Sequence, residues 1–389
     1  MMKVGIDKIG FYTPKWYVDM AKLARARNEE PDKYLIGIGQ TKQAVIPNSQ
    51  DAVTMAANAA DQIVNDDNRK KIDLILFGTE SGIDNSKSAA IYLQRLLGLP
   101  NTIQSVELKQ ACYAMPAGIQ LAKDHVLAHP DSQVLVVGAD IARYGLHNAG
   151  EPTQGGGAMA VIISANPRIL AIENGSAHYV ADIMDFWRPL YATEALVDGK
   201  YSSKQYIEFF QQTFAQYQKQ HGLEISDLQA LVFHLPYTKM GLKALRAILP
   251  ETDESHANQL LREFEYSRVF NRQVGNLYTG SLYLSLLSLL VNSESLNETQ
   301  KIGLFSYGSG AEGEFYVATV QSNYKQALHE STITNVLSNR EELSIPDYEK
   351  MFKSQMPLSD ADFVTDYEKD SAKFYLAGQK DQQRQYQKR

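Results

Sequence analysis

Asp73-Leu74-Ile75-Leu76-Phe77-Gly78-Thr79-Glu80 carries an apolar run too short for a helix, closed by a glycine turn and ending on a carboxylate. A run that is apolar on both faces predicts a strand buried within a parallel sheet. In the second half, Asp227-Leu228-Gln229-Ala230-Leu231-Val232-Phe233-His234 repeats its length, with His234 at the offset of Glu80. Downstream the two halves stay in step. Cys112 precedes a predicted helix over 113–127 and a strand over 134–138. Asn276 precedes a predicted helix over 277–291 and a strand over 302–306. Each half then closes on glycines and another strand: Gly155 to Gly157 before 158–163, and Gly308 to Gly313 before 315–319. A further strand over 4–11 and helices over 51–65, 90–97 and 116–127 complete the alternation, which predicts an α/β protein built from a duplicated unit. A duplicated unit places Glu80, Cys112, His234 and Asn276 as two equivalent pairs around a pseudo-twofold centre.

The expected division is 1–170, carrying Glu80 and Cys112, and 171–389, carrying His234 and Asn276. No low-complexity linker separates them, so they are expected to pack as one unit. From about Ser331 the apolar periodicity fades, and the almost wholly polar 379–389 is expected to fray.

Composition narrows the function. The 389 residues are 44% apolar with a net charge of −7, a globular balance that excludes disordered and collagen-like classes. One cysteine allows no internal disulfide and points to a reducing compartment. Mild acidity without a basic cluster argues against a nucleic-acid partner. Residues 1–7 show no apolar leader, and the stretch 277–291, interrupted by Thr279, Gly280, Ser281, Ser285 and Ser288, is too short to span a bilayer. The expectation is a cytoplasmic protein that acts on a small soluble substrate or a protein partner.

Cys112 stands in Ala111-Cys112-Tyr113-Ala114-Met115-Pro116, at a predicted helix entrance. A lone cysteine is ordinarily a small buried hydrophobe, but free N–H groups and the helix dipole there favour a thiolate able to accept an acyl group. His234 could be a strand-end histidine satisfied by backbone, Glu80 a solvated loop carboxylate, and Asn276 a helix N-cap. The matched offsets weigh against those readings. Together the four suit thioester chemistry, with a thiolate that attacks and His and Asn donors that hold a carbonyl as it gains charge.

Three other motifs lead elsewhere. Gly308-Ser309-Gly310-Ala311-Glu312-Gly313 spells G-x-G-x-x-G but precedes a strand, whereas the dinucleotide fingerprint requires a helix. His125 and His129 have zinc-like spacing without the glutamate of a metalloprotease helix. The Gly155–Gly157 run lacks the Lys-Ser/Thr of a phosphate loop and fits close backbone approach. Lys239 and Lys243, four apart, would share a helical face, either solvated or holding phosphates.

With these residues in place, the chain resembles the 3-hydroxy-3-methylglutaryl-CoA synthases in their bacterial form. The resemblance runs from Tyr17-Val18-Asp19 and Ile36-Gly37-Ile38-Gly39-Gln40 to Phe305-Ser306-Tyr307-Gly308-Ser309-Gly310. In order between them stand Cys112-Tyr113, Asn148-Ala149 with Pro152-Thr153, Val197-Asp198-Gly199-Lys200, Phe233-His234 to Pro236-Tyr237, and the stretch 273–279. It implies a thiolase-like fold, a duplicated five-layered αβαβα arrangement, a homodimer, and no metal or other cofactor beyond the substrates acetyl-CoA and acetoacetyl-CoA. It also implies roles: Cys112 as the acetylated nucleophile, Glu80 as the general base, and His234 as the group orienting acetoacetyl-CoA with Asn276 beside it. Thr153 and Ser309 or Ser306 would touch the acyl portion, and Tyr144, Asn148, Ser202, Lys239 and Lys243 would help hold substrate. Where animal enzymes follow the cysteine with Gly-Gly, this chain has Ala114-Met115-Pro116. A β-ketoacyl-carrier-protein synthase of type III shares the Cys/His/Asn set and is the alternative. Glu80 separates the two, because a decarboxylative condensation makes its own carbanion.

Overall fold

The computed structural model describes residues 2–328 and 330–389. Ten strands form one mixed sheet. In the first half these are β1 (Val4–Tyr12), β2 (Ile72–Gly78), β3 (Gln104–Leu108), β4 (Gln133–Ala142) and β5 (Gly155–Ala165). In the second they are β6 (Leu170–Ile172), β7 (Ala177–Val180), β8 (Leu228–Phe233), β9 (Lys301–Gly308) and β10 (Glu312–Val320). The order is β8-β9-β10-β6-β1-β5-β4-β2-β3, with β7 also on β10.

The duplication read from the sequence is written in the strand directions. In the first half β2 runs parallel to β4, β4 antiparallel to β5, and β5 antiparallel to β1. In the second, β8 runs parallel to β9, β9 antiparallel to β10, and β10 antiparallel to β6. The short β1–β6 pairing at Gly5–Ala171 and Ile6–Leu170 fuses the halves into one sheet. Strands β2 and β4 are buried along nearly their whole length, as parallel strands covered on both faces must be.

Helix α1 (Ala52–Ala60) begins on a capping box, in which Asp51 accepts from the Thr54 N–H and Thr54 answers to the Asp51 backbone. It stops five residues short of the expected 51–65. Helix α2 (Ala114–Ala128) packs on β2, β4 and β5, where Gly118 admits Val136, Leu108 and Leu76. Helix α3 (Gly199–His221) lays Phe209, Phe210 and Phe214 against Phe305 and Phe315. Helix α4 (Thr238–Ile248) carries Lys239 and Lys243, and α5 (Ser281–Asn292) is buried apart from its C-terminal end. The expected helix over 277–291 therefore opens as a 3-10 turn at Tyr278–Gly280 before its α portion.

The polar C-terminus does not fray. Phe374–Lys380 and Gln383–Lys388 pair as a hairpin, and its second strand reaches the N-cap of α1. There the Tyr386 hydroxyl and Arg384 guanidinium donate to Asp51 Oδ2 at 2.6 and 2.7 Å. A strand that buries one tyrosine and one arginine shows no apolar periodicity, which is why the sequence suggests a loose end.

Candidate active site

The site forms where the C-terminal ends of β2 and β8 meet the loops that lead into α2 and α5. Each half's glycines receive the other half's loop. A Cβ on Gly308 would stand 2.2 Å from the Ala111 oxygen and 2.6 Å from Tyr113 Cβ, and one on Gly155 would stand 2.6 Å from the Asn276 nitrogen. The expected close approach at Gly155–Gly157 is thus an approach to Asn276 itself. Only a residue without Cβ fits there.

Cys112 lies two residues before α2, as expected, with a left-handed φ of 55°. Such strain in a non-glycine residue is characteristic of functional turns. Glu80, half-buried just past β2, accepts from the Cys112 N–H at 2.9 Å, and its Oε1 is 3.5 Å from Sγ. The expected thiolate is not the resting form. Burial, then the Glu80 and Asp140 carboxyls, push the thiol well above its usual pKa, and these outweigh the helix dipole. Burial and Asp140 also push Glu80 up, offset in part by Arg188.

Asp140, at the end of β4 and fully buried, joins the halves. Its Oδ1 accepts from Thr79 Oγ1 and from the Glu80 and Ser81 N–H groups at 2.8–2.9 Å. Its Oδ2 accepts from the Thr279 N–H at 3.1 Å and hydroxyl at 2.6 Å. Burial pushes the Asp140 carboxyl up, and these five donors offset part of that rise.

His234 follows β8 and is buried, with its N–H on the Phe305 oxygen and Tyr206 donating to its carbonyl. Burial lowers its pKa to about 3, so the imidazole is neutral. Its Nδ1 is enclosed without a protein partner, as is the Ser306 hydroxyl on neighbouring β9. Asn276, also buried, accepts from the Tyr278 N–H at 2.8 Å. Tyr278 repeats the left-handed backbone of Cys112 in the second loop, at φ 44°. Tyr144, Phe186 and Tyr278 meet edge to face, with centroids 5.7–6.3 Å apart, as an aromatic wall beside the thiol.

The remaining expected residues are placed less uniformly. Asn148 is committed to its own loop, donating to the Tyr144 oxygen and accepting from the Gly150 and Glu151 N–H groups. Thr153 donates to the Gly150 oxygen at 2.8 Å. Ser202 donates to buried Asp185 at 2.9 Å from the start of α3. The backbone oxygen of Ser309 accepts from Gln110 at 2.9 Å, which ties β9 to the Cys112 loop. Lys239 reaches the Ile36 oxygen, and Lys243 the Tyr237 hydroxyl. His125 bonds Asp73 at 3.1 Å. Among the described residues no three metal-ligating side chains gather.

Asp140, Arg188, Phe186 and Tyr278 escape the sequence reading. Asp140 prolongs an apolar strand, and Tyr278 sits inside the Asn276 motif. Arg188 and Phe186 lie in a segment without periodicity.

Residues 1–168 match the hydroxymethylglutaryl-coenzyme A synthase N-terminal family model, and 170–265 and 255–389 match the C-terminal one. The hydroxymethylglutaryl-CoA synthase of Enterococcus faecalis is 50% identical over 351 residues, 90% of this chain and 92% of that protein. A crystal structure of an HMG-CoA synthase complexed with CoA superposes with a TM-score of 0.96, at 39% identity and full coverage of both chains. MvaS in complex with 3-hydroxy-3-methylglutaryl coenzyme A gives 0.88 at 34% identity, covering 100% of this chain and 99% of that one.

Proposed function

The chain belongs to the hydroxymethylglutaryl-CoA synthase family, and we infer that Cys112, Glu80 and His234 carry its condensation of acetyl-CoA with acetoacetyl-CoA and water. The products are 3-hydroxy-3-methylglutaryl-CoA and CoA, which suits the mevalonate route to isoprenoid precursors. The observation that carries the assignment of roles is the Glu80 carboxyl placed on both the N–H and the sulfur of Cys112.

The thiol gives up its proton as it attacks; Glu80 is in reach to take it, and the departing CoA thiolate can take it directly where Glu80 is absent. The sulfur takes the acetyl group and CoA leaves with a proton. Glu80, again a carboxylate, then removes a proton from the acetyl methyl. Its raised pKa suits that task, since a carboxylate of ordinary pKa is a weak base toward carbon. The carbanion adds to the ketone of acetoacetyl-CoA. Neutral His234 can donate a hydrogen bond to the substrate oxygen, and Asn276 supports it as charge grows there. Thr153, Ser306 and Ser309 border the acyl group, while Tyr144, Asn148, Ser202, Lys239 and Lys243 belong to the walls that receive the CoA thioesters. Water then releases the product from Cys112.

Nucleophile, base and oxyanion donors are all side chains of this protein, so the two CoA thioesters are its whole small-molecule requirement. The halves 1–170 and 171–389 act as one unit. A homodimer is supported by β3, which ends the sheet with an open edge and a half-exposed Val106, because a second copy would satisfy such an edge. A free thiol as nucleophile suits the cytoplasm. Among the described residues no helix is long and apolar enough to cross a membrane.

Intact mass after mixing with acetyl-CoA tests the assignment. The chain gains about 42 Da, one acetyl group, acetoacetyl-CoA discharges it, and Cys112→Ser gains nothing. A carrier-bound malonyl group as the sole discharging substrate would favour the ketoacyl-synthase alternative instead.

A further inference from the structure

Between β7 and α3 the chain crosses the site as a narrow ribbon, paired at Phe186–Trp187 and Leu196–Val197. Buried Asp185 anchors it, accepting from the Tyr307 hydroxyl at 2.8 Å, Ser202 Oγ at 2.9 Å and the Gly310 N–H at 2.9 Å. Phe186 packs on Tyr144 and Tyr278. Arg188, half-buried, donates from Nη2 to the Glu80 carbonyl oxygen. That hydrogen bond places the guanidinium beside Glu80, and its charge acts on the Glu80 carboxyl and on Tyr278.

The condensation gives this cation a task. Water oxygen bonds to the thioester carbon on Cys112 and the carbon–sulfur bond breaks. The sulfur leaves with the electron pair and takes one water proton, and the other is lost as the new carboxyl ionises. A carboxylate thereby appears beside Glu80 and Asp140, in a pocket already crowded with acids. Like charges at such range oppose its formation. A guanidinium has five N–H donors in a planar fork matched to a carboxylate, and one Nη2 hydrogen is what Arg188 gives to Glu80.

Resting on the proposed function, we propose that Arg188 binds the carboxylate released from Cys112 and stabilises it as hydrolysis proceeds. Loss of an arginine that only fastened the Glu80 loop would slow condensation, whereas loss of this one slows release.

The test is rapid-quench intact mass of the full chain, its Arg188→Gln and its Arg188→Lys variants, at alkaline pH where Glu80 is ionised. Arg188→Gln should acetylate within about threefold of the parent but hydrolyse about 10²-fold more slowly, the scale of a lost oxyanion donor. An adduct of about 0.9 kDa, acetyl plus acetoacetyl-CoA on the nucleophile, then accumulates, and Arg188→Lys accumulates less. Parent-like turnover without that adduct overturns the proposal, as does accumulation of acetyl-enzyme alone. A parent chain that takes no acetyl group overturns the synthase reading beneath it. Should Arg188→Gln not fold, binding to the parent decides. The product should bind about tenfold more tightly than 3-hydroxy-3-methylbutyryl-CoA, which lacks the carboxylate, as a charge-assisted bidentate pair requires. Equal affinities would overturn the proposal.

Discussion

Glu80 Oε1 lies 2.9 Å from the Cys112 N–H and 3.5 Å from its sulfur, so the base and the nucleophile share one proton's reach. Burial keeps the thiol protonated until substrate arrives, and once Glu80 is ionised its charge adds to this by opposing a second anion beside it. Glu80→Gln removes that charge and lowers the thiol pKa. The variant should alkylate several-fold faster with iodoacetamide than the parent at alkaline pH, where Glu80 is ionised, a rate set by the thiolate fraction. Equal rates across the pH range would separate the two groups electrically.

Asp140 sets the working pH of Glu80. With Glu80 as the proposed base, condensation needs it ionised, and burial with Asp140 raises its pKa, so activity should fall as pH drops through a value well above that of an ordinary glutamate. Asp140→Asn removes one negative charge and moves this acid limb to lower pH in kcat.

The same raised pKa has a stability consequence. A carboxyl whose folded pKa exceeds its unfolded one favours the native state at low pH, and this contribution is lost as pH rises through the folded value. Glu80→Gln should therefore raise the melting temperature at pH 9 by more than at pH 5, as strained catalytic sites generally allow.

In the proposed mechanism His234 acts uncharged. With its pKa lowered to about 3, its imidazole nitrogen NMR shifts should stay those of a neutral ring from pH 8 to pH 5. His234→Ala should retain Cys112 acetylation and lose condensation by about 10²–10³-fold, the scale of a missing oxyanion donor.

The C-terminal hairpin is a structural clasp. Tyr386→Phe removes one of the two donors to Asp51 Oδ2 and leaves Arg384 on it, so it should cost about 1 kcal/mol, the net worth of one hydrogen bond. Denaturant unfolding measures this, with acetylation of Cys112 unchanged in the folded variant.

Much of the molecule is legible in the chain because the halves carry the same pattern of apolar runs, and strands such as Asp73 to Phe77 are buried on both faces. The offsets of Glu80 and His234 are legible for the same reason, since each follows an equivalent strand. What hides is whatever depends on contacts across the halves. Asp140 prolongs an apolar strand, and its partners Thr79 and Thr279 lie 61 and 139 residues away. The state of Cys112 depends on Glu80, 32 residues away, which local helix geometry cannot report. Arg188 lies in a ribbon held by Asp185 through side chains rather than a long ladder. The terminal hairpin hides because Arg384 and Tyr386 bury polar tips against Asp51.

The central claim is that Glu80 makes the acetyl group on Cys112 a nucleophile. It is tested most directly by acetylating the parent and Glu80→Ala, removing free acetyl-CoA, and following the discharge of the acetyl-enzyme by acetoacetyl-CoA in a single turnover. The account predicts that both proteins carry the acetyl group and that discharge in Glu80→Ala falls about 10²–10⁴-fold, the range of a lost general base. Discharge at the parent rate would contradict it.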